Sequence, residues 1–589
     1  MHNRAMSRLA VCLTCWVAPL VAAQPTDTMA ARIERYARDA EDVRSYYNIP
    51  WSESRAARSE TLHRATLAEL DAIDFDRLSQ DERVDYLLLR NKLRGSLAYA
   101  ALDRTRWDEM SALLPFRETI VALEEARWRV EPVSGREAAE RVAALLPQLK
   151  ELRRRLDAGR NTPPASAPAA ASGATDGPLT VTPVVAARAA AAVSGLRDTL
   201  RHWHNYYAEF TPDFAWWMRQ PFADADRALG EYADFLRTEL AGLKGNPEDP
   251  LLGDPIGRDT LLADLQNEVI AYSPEELVAI GEREFAWCEQ EMRSAAREMG
   301  FGDDWRAALA KVKSATAEPG AHTDLCAALV RESIAFLREK DLVTIPDLAA
   351  ELWRLEMIPP DRQRIWPFQF YGGLHIGVAY ASEHMSHADK MQAMRGNNRH
   401  FTRIVVPHEL IPGHHLQGFM AQRLRPYRQN FTTPFFLEGW CLYWEMKLWD
   451  LGWARGPEDR IGMLFWRMHR CARIVVSLKF HLGQMSPDEM IKFLEERVGH
   501  EPANARSEVR RYVGPDYSPL YQAGYMLGGM QLRAMHSEVV GGGRMSEREF
   551  NDRLLTLGPI PVELIRASIL QTPLRRDHHA QWRFADPAE

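Results

Sequence analysis

Two histidines and two glutamates in the last third of the chain are of the residue types that form a catalytic metal site. His408 and Glu409 begin the run HELIPGHHLQ, His414 follows six residues after His408, and Glu438 lies further on in the triplet EGW. Imidazole nitrogens and a carboxylate oxygen are donors that catalytic zinc sites use, with a fourth position left open. The pattern predicts a metallohydrolase with Zn²⁺ as its cofactor.

The spacing of the histidines needs explanation, because zincin helices usually place two ligands four residues apart and position 412 is proline. An α-helix turns about 100° and rises about 1.5 Å per residue, so on a straight helix neither His414 nor His415 could share one ion with His408. Pro412 and Gly413 favour a bulge that loops two residues out. The bulge restores the normal spacing of two ligands for His408 and His414. His415 is either the alternative second ligand or a residue that hydrogen-bonds a ligand.

The acidic residues are expected to have different roles. Glu409 follows the first ligand and is predicted to be the general base of a hydrolytic reaction. Glu438 lies thirty residues after His408, a separation that lets a second helix return antiparallel and offer its carboxylate as a ligand. Glu445 falls on the same face of that helix, where it either hydrogen-bonds a ligand imidazole or is an exposed surface residue.

Three motifs, in the order HELIPGHHLQ, EGWCLYWE and YQAGYMLGG, resemble those of the bacterial domain-of-unknown-function 885 family. The resemblance implies a large helical, zincin-like fold of the gluzincin type, related to oligopeptidases, and a zinc-dependent peptidase activity. Glu438 also resembles the third ligand of oligopeptidases related to thimet oligopeptidase.

The same resemblance matches Arg511 to an Arg-Tyr motif and Tyr525 to a Tyr-x-x-Gly motif of the family, and it makes both residues candidates for a catalytic role. A phenol at position 525 could stabilise the oxyanion of the reaction. The alternative is that both side chains only cover the core. Arg511 is also one of three arginines, with Arg399 and Arg403, that are candidates for binding a peptide terminus.

The N-terminus predicts export. Two arginines precede an apolar run from Leu9 to Leu20, and VAA before Gln24 fits a cleavage site, so residues 1–23 are interpreted as a signal peptide. We expect a periplasmic or secreted protein that begins at Gln24. An uncleaved anchor helix is the alternative. A lipid anchor is not expected, because Cys12 and Cys15 lack the small residue that precedes a lipidated cysteine. No other stretch reaches the roughly 20 apolar residues of a membrane span.

Composition indicates the kind of partner to expect. The formal net charge is −8 at pH 7, which disfavours nucleic acid, so a peptide or another small molecule is the expected substrate. The four cysteines after the first 23 residues contain no CxxC pair, and neither their pairing nor the oligomeric state follows from the sequence.

Hydrophobic periodicity predicts a mainly α-helical protein. Amphipathic patterns cover Met29 to Asp42, Arg136 to Leu156 and Leu277 to Met299. Serines at positions 273, 486 and 546, each with glutamate three residues later, predict capping boxes at helix starts. We expect an N-terminal helical region at 24–260, with a flexible Ala/Ser/Gly/Pro-rich loop at 163–178, and a catalytic region at 261–589.

One segment departs from the helical pattern. From Phe368 to Ala381 the chain reads FQFYGGLHIGVAYA, and its glycines and partly alternating aromatic and β-branched residues predict strands. A small β-sheet beside the active-site cleft is therefore expected. It would either provide an edge strand that binds the substrate backbone or form a buried hairpin.

Two other functions are compatible with the same residues. One is a metal-dependent amidase or esterase that acts on a non-peptide substrate. The other is a catalytically silent zincin that binds a ligand, although such a protein would have no use for a general base at Glu409.

Overall fold

The structure is a computed structural model that describes residues 28–160, 177–246, 249–363 and 366–585. The predicted signal peptide and nearly all of the predicted flexible loop at 163–178 lie outside these ranges. Among the described helices, none combines the length and apolarity needed to cross a membrane.

The N-terminal part of the chain is helical. Its α-helices are α1 (Met29–Tyr46), α2 (Glu53–Asp71), α3 (Gln80–Met110), α4 (Arg117–Trp128), α5 (Gly135–Ala143), α6 (Leu145–Arg160), α7 (Pro183–Ala208), α8 (Pro212–Asp234) and α9 (Gly257–Asn267). The predicted helix from Arg136 to Leu156 is two helices with a break at Ala144. Pro147 lies in the first turn of the second helix, where its missing N–H costs no hydrogen bond.

The remainder of the chain continues with short strands and further helices. They are α10 (Pro274–Glu298), α11 (Trp305–Lys313), α12 (His322–Glu339), α13 (Asp347–Leu352), β1 (Arg354–Met357), α14 (Pro360–Gln363), β2 (Phe370–Tyr371), β3 (His375–Val378), α15 (His387–Gly396), α16 (Arg399–Glu409), α17 (His414–Leu424), α18 (Pro434–Asp450), α19 (Pro457–His481), α20 (Pro487–Phe493), α21 (Pro502–Val513), α22 (Tyr521–Val539), α23 (Glu547–Leu557) and α24 (Val562–Leu570).

The predicted helix starts are confirmed by their caps. Ser273, Ser486 and Ser546 each accept a hydrogen bond from the backbone N–H three residues later, and the glutamate carboxylate there accepts one from the serine backbone N–H. Each reciprocal pair satisfies two backbone donors that the first helical turn leaves free.

The predicted strands form a three-stranded sheet in the order β1-β3-β2. Strand β3 pairs in parallel with β1 and antiparallel with β2, with Phe370 opposite Gly377 and Tyr371 opposite Ile376. Because β2 is at the edge of the sheet, both sequence interpretations hold in part: β2 and β3 form a hairpin, and β2 is also an edge strand.

The buried apolar side chains form two cores. The main core joins α1 to α3 with α9 and the helices that follow it, so the first helices pack against the C-terminal part. The second core lies between the end of α3 and helices α4 to α8. A mainly helical fold with a small sheet is thus confirmed, while a domain boundary near residue 260 stays a prediction.

Helices α18 and α22 approach each other closely in the main core. A Cβ on Gly439 would lie 2.7 Å from the backbone of Gly528, so the two helices contact each other through bare backbone at this crossing. The glycines of the EGW and YMLGG motifs therefore set how closely α22 approaches the helix that carries Glu438.

Candidate metal centre

The first two predicted ligands lie on separate helices. Helix α16 ends at Glu409, and α17 begins at His414 after a four-residue turn that contains a cis peptide bond before Pro412. Within the turn, the N–H of Gly413 donates to the carbonyl of Pro407 at 2.9 Å. A Cβ at Gly413 would overlap the carbonyl oxygen of His408, so only glycine fits there.

The local geometry therefore differs from the predicted two-residue bulge within one helix. The chain leaves the helical path completely and then starts a new helix. This arrangement nevertheless brings His408 and His414 together, with ring centroids 5.0 Å apart and planes at 82°.

The carboxylate of Glu438 completes the cluster. Its Oε2 lies 3.2 Å from Nε2 of His414 and 3.6 Å from Nε2 of His408, and all three side chains are largely buried. This oxygen nevertheless accepts no hydrogen bond of acceptable geometry within the described residues. Tetrahedral donors about 2.1 Å from a zinc ion lie roughly 3.4 Å from one another. The spacing and the unsatisfied oxygen therefore fit a shared metal ion.

Two further side chains fix the orientation of these donors. Glu445 Oε1 lies 2.7 Å from Nδ1 of His408, and the hydroxyl of Tyr521 donates to Oε1 of Glu438. A carboxylate on Nδ1 leaves Nε2 of His408 free to bind a metal. Of the two alternatives for Glu445, the hydrogen bond to a ligand imidazole is the one observed.

Cys441 is a possible donor that sequence analysis did not identify. Its sulfur and one nitrogen each of His408 and His414 all lie within 4.8 Å of one another. However, the thiol is completely buried and donates to the carbonyl of Leu437 at 3.7 Å. We favour Glu438 as the third ligand because its oxygen lies 3.2 Å and 3.6 Å from the two imidazoles and because it lines the cavity described below, whereas Cys441 is not among the lining residues.

His415 lies outside the metal cluster. Its Nε2 donates to the carbonyl of Ala349 at 2.9 Å, and its Nδ1 lies 3.3 Å from the hydroxyl of Tyr371. The ring is thus directed toward α13 and strand β2. It supports the edge strand and is in no position to replace His414.

Burial and mutual attraction shape the electrostatics of the cluster. Burial lowers the pKa of His408, but the nearby carboxylates of Glu438 and Glu445 outweigh this effect and raise the pKa to about 9. Burial raises the pKa of Glu438, yet the charges of the two imidazoles hold it well below its usual value. A metal ion bound by His408 would therefore have to displace a proton from it, so binding is expected to weaken as the pH falls.

Of the three predicted catalytic side chains, Glu409 and Tyr525 are placed differently from the predicted ligands. Glu409 and Tyr525 both line the cavity, and neither side chain makes a hydrogen bond within the described residues. Burial raises the pKa of the Glu409 carboxyl, which makes it a better proton acceptor near neutral pH. The ring of Tyr525 stacks on His408, with centroids 6.3 Å apart.

A cavity of about 330 Å³ opens onto the cluster. Its walls include the edge strand β2 through Phe370 and Tyr371, and helix α22 through Tyr521 and Tyr525. Its volume is at the lower end of the range of roughly 300–1,000 Å³ found for ligand pockets. The metal cluster is therefore accessible to a small ligand.

Three arginines also form part of the cavity wall. Arg511 lines the cavity, as do Arg470 and Arg473 of α19, which sequence analysis missed. The candidates Arg399 and Arg403 do not line it: Arg399 is exposed, and Arg403 is buried in an ion pair with Glu332 at 2.8 Å.

Some of the missed residues have a signal in the sequence. Arg470 directly precedes the mostly apolar run CARIVVS, and Arg473 lies within it. Because the two arginines are three residues apart, they lie on the same face of a helix. Two charged side chains on a face that is otherwise apolar indicate nearby ionic partners, since burying an unpaired charge is costly. Tyr521 lies one helical turn before Tyr525 and therefore faces the same side of α22.

Hydrogen bonds connect the first motif to the helix that carries the second. Trp440 of EGW donates through Nε1 to the carbonyl of Pro412 at 2.8 Å, and Gln417 of the first motif donates to the carbonyl of Phe436 at 3.1 Å. The turn between the two histidines is thus held by the helix that provides the carboxylate.

Taken together, the fold and the site define a mainly helical protein with a candidate metal centre in an internal cavity. The sequence matches the family described as "Bacterial protein of unknown function (DUF885)" over residues 41–569, and the chain belongs to this family. Comparison with curated proteins finds no match.

Two solved structures are similar to this one. A "putative lipoprotein of unknown function" from Shewanella oneidensis is 16% identical with a TM-score of 0.65, and the alignment covers 92% of this chain and 100% of the other. A "putative lipoprotein" from Colwellia psychrerythraea is 15% identical with a TM-score of 0.56, covering 92% and 98%. At these identities the likeness concerns the fold alone.

Proposed function

We propose that the protein is an exported, zinc-dependent metallopeptidase that hydrolyses short peptides. The observation that carries the proposal is the convergence of His408, His414 and Glu438 at a cavity wall, with one unsatisfied carboxylate oxygen between the imidazoles. Two histidines and one glutamate are the ligand set of a catalytic zinc site with an open position.

In this proposal Glu409 moves protons. When bound, zinc supplies a Lewis acid that polarises the scissile carbonyl and acidifies water. Glu409 takes the proton of the attacking water and then gives it to the leaving amine. Its carboxylate is available for this because it lines the cavity without a hydrogen-bond partner in the described residues.

The neighbouring side chains hold the reacting groups in place. Glu445 keeps Nε2 of His408 directed at the ion, and Tyr521 orients the carboxylate of Glu438. Tyr525 offers its hydroxyl to the developing oxyanion, because this group lines the cavity beside the His408 ring.

Peptide is the preferred substrate class because of strand β2. An extended peptide can add to the free edge of a sheet through main-chain hydrogen bonds. The edge strand β2 forms one wall of the cavity through Phe370 and Tyr371. An ester or a non-peptide amide would make no use of this edge.

Export is the second part of the proposal. It is supported by the predicted signal peptide at residues 1–23 and by the description of both structural neighbours as lipoproteins. For this chain we propose a soluble periplasmic form that begins at Gln24. We do not propose a lipid anchor, because Cys12 and Cys15 lie within the apolar run and lack the small residue that precedes a lipidated cysteine.

Metal removal tests the proposed chemistry. Purified protein should contain close to one zinc per chain, and chelation followed by desalting should abolish cleavage of a short-peptide library. Adding one equivalent of zinc should restore it, as measured by mass spectrometry of the products. Undiminished cleavage by protein shown to be free of metal would contradict the proposal.

A further inference from the structure

Three arginines, two of them buried and one half-buried, face the cavity near the candidate metal centre. Arg470 and Arg473 lie on one face of α19 and are 5% and 3% exposed, and Arg511 reaches the cavity from α21. The guanidinium carbons of Arg473 and Arg470 lie 4.4 Å and 5.2 Å from the ring centre of Tyr525. Arginines in such a place need anions, because burying an unpaired charge is costly.

The protein supplies fewer anions to this wall than cations. Glu508, completely buried, accepts hydrogen bonds from Arg473 at 2.7 Å and Arg511 at 3.0 Å. The carboxylate nearest to Arg470 is Glu445, 3.6 Å away, and Glu445 is also the partner of His408. Three guanidinium groups therefore have only two carboxylates as direct ion-pair partners, and one of these carboxylates is shared with His408.

Hydrogen bonding is incomplete in the same place. Nη1 of Arg473, Nε of Arg470 and Nε of Arg511 are buried and have no partner within the described residues. Guanidinium groups bind carboxylates strongly because two parallel N–H donors match the two oxygens. The unsatisfied donors and the shared ion-pair partners both point to a carboxylate from outside the chain.

The distance between these arginines and the metal cluster limits how many substrate residues can lie between the bound carboxylate and the bond that is cleaved. The Tyr525 ring centre lies 6.3 Å from the His408 ring centre and 4.4 Å from Cζ of Arg473. Cζ of Arg473 is therefore at most about 11 Å from the His408 ring, and each extended residue spans roughly 3.3–3.6 Å. No more than about three residues fit between a carboxylate at this wall and the bond that is cleaved.

We propose that Arg470, Arg473 and Arg511 bind the carboxylate of the peptide substrate, with the C-terminal carboxylate as the principal ligand, so that short fragments are removed from the C-terminus. The proposal rests on the peptidase function proposed above. The shared chemistry is a carboxylate, and an acidic side chain near the cleaved bond is the second possible source.

The first test varies the substrate and leaves the protein unchanged. Wild-type holoenzyme is given one set of N-acetylated peptides with a free C-terminal carboxylate, the same set as C-terminal amides, and amides that carry one glutamate. Amidation should lower kcat/KM at least about 100-fold, and products should be one to three C-terminal residues. Recovery in the glutamate series would identify the side chain as the source. Acid and amide cleaved within threefold of each other would overturn the proposal.

The second test uses matched arginine variants. Arg511→Met removes one guanidinium while Arg473 and Tyr512 still hold Glu508, and Arg511→Lys restores the charge. The preference for free acid over amide should fall at least tenfold in Arg511→Met and recover in part in Arg511→Lys. Arg399→Met, at an exposed arginine outside the cavity, should keep the full preference. Equal preference in all three variants would contradict the proposal.

A binding measurement separates this inference from the peptidase function. Calorimetry with zinc-free protein and an N-acetylated tripeptide should give at least tenfold tighter binding of the free acid than of the amide, with the difference lost in Arg511→Met. If no peptide is cleaved but this difference is found, the carboxylate site stands and the peptidase function fails. If peptides are cleaved and acid and amide bind alike, the carboxylate site is wrong.

Discussion

At the scale of single residues, Glu438 carries the most information about the cluster. One oxygen is fixed by Tyr521, and the other lies between two imidazoles without a satisfactory hydrogen bond. A buried carboxylate usually has all its partners within the protein. The missing partner agrees with the metal ion that we propose, and it distinguishes Glu438 from the neighbouring Cys441, whose thiol donates to the carbonyl of Leu437.

The choice between Glu438 and Cys441 can be tested by metal content. Glu438→Ala should lose most of its zinc, because it removes a charged ligand, whereas Cys441→Ala should keep close to one zinc per chain. Inductively coupled plasma mass spectrometry on desalted protein measures both. Zinc lost in Cys441→Ala and retained in Glu438→Ala, with both variants folded by circular dichroism, would assign the third position to the thiol.

Tyr521 and Tyr525 differ in what they contact and so in what their removal should do. Tyr521→Phe frees the carboxylate of Glu438 and should weaken zinc affinity by about 10- to 100-fold, as loss of a ligand's supporting group does. Tyr525→Phe should leave zinc affinity unchanged and lower kcat by about 10²- to 10³-fold. Competition with a zinc indicator and steady-state kinetics measure the two effects. Normal zinc affinity with a large loss of kcat in Tyr521→Phe, together with weakened zinc affinity in Tyr525→Phe, would show that Tyr521 is the oxyanion donor.

The site was only partly predictable at this scale. His408, Glu409 and His414 are close in sequence, so their chemistry follows from spacing and from the turn formers between them. Cys441, Arg470 and Arg473 could not be placed in the same way, because their positions depend on how α18 and α19 pack against other helices.

At the scale of elements, the turn between α16 and α17 is what brings the two imidazoles together. The sequence indicated Pro412 and Gly413 as the cause of the interruption, and the structure places the break there. The new helix that starts at His414 was not predicted, because the turn is held from outside by Trp440 and by Ser333, whose hydroxyl donates to the Ile411 carbonyl at 2.7 Å. Such tertiary hydrogen bonds leave no local pattern.

The glycine of the turn provides a test of this geometry. Gly413→Ala should abolish zinc binding or folding, since its Cβ would overlap the His408 carbonyl oxygen. Gly418→Ala in α17 is the matched control, because its Cβ would only touch Tyr371 at 3.8 Å and alanine favours a helix by about 0.5–1 kcal/mol. Zinc content and thermal unfolding measure both variants. Normal zinc in Gly413→Ala would contradict the described turn.

At the scale of the whole molecule, helices α1 to α3 pack into the same main core as the helices that carry the candidate metal centre. Helices α4 to α8 have a core of their own. Periodicity predicted the helices and the small sheet, because these depend on local spacing of apolar residues. It did not predict that α1 to α3 join the C-terminal part, because amphipathic faces do not name their partners. The cavity lies where the sheet, α19 and α22 meet, which also depends on long-range packing.

The central claim is that Glu409 performs chemistry while the metal is held by other residues, and Glu409→Gln tests it most directly. Glutamine keeps the shape of the side chain but cannot accept and return a proton. We expect close to one zinc per chain, unchanged thermal unfolding, and a loss of peptide turnover of about 10³-fold or more relative to wild type. Zinc content and hydrolysis of the same peptide library are measured on one preparation of each protein. Turnover at the wild-type rate by zinc-loaded Glu409→Gln would contradict the account.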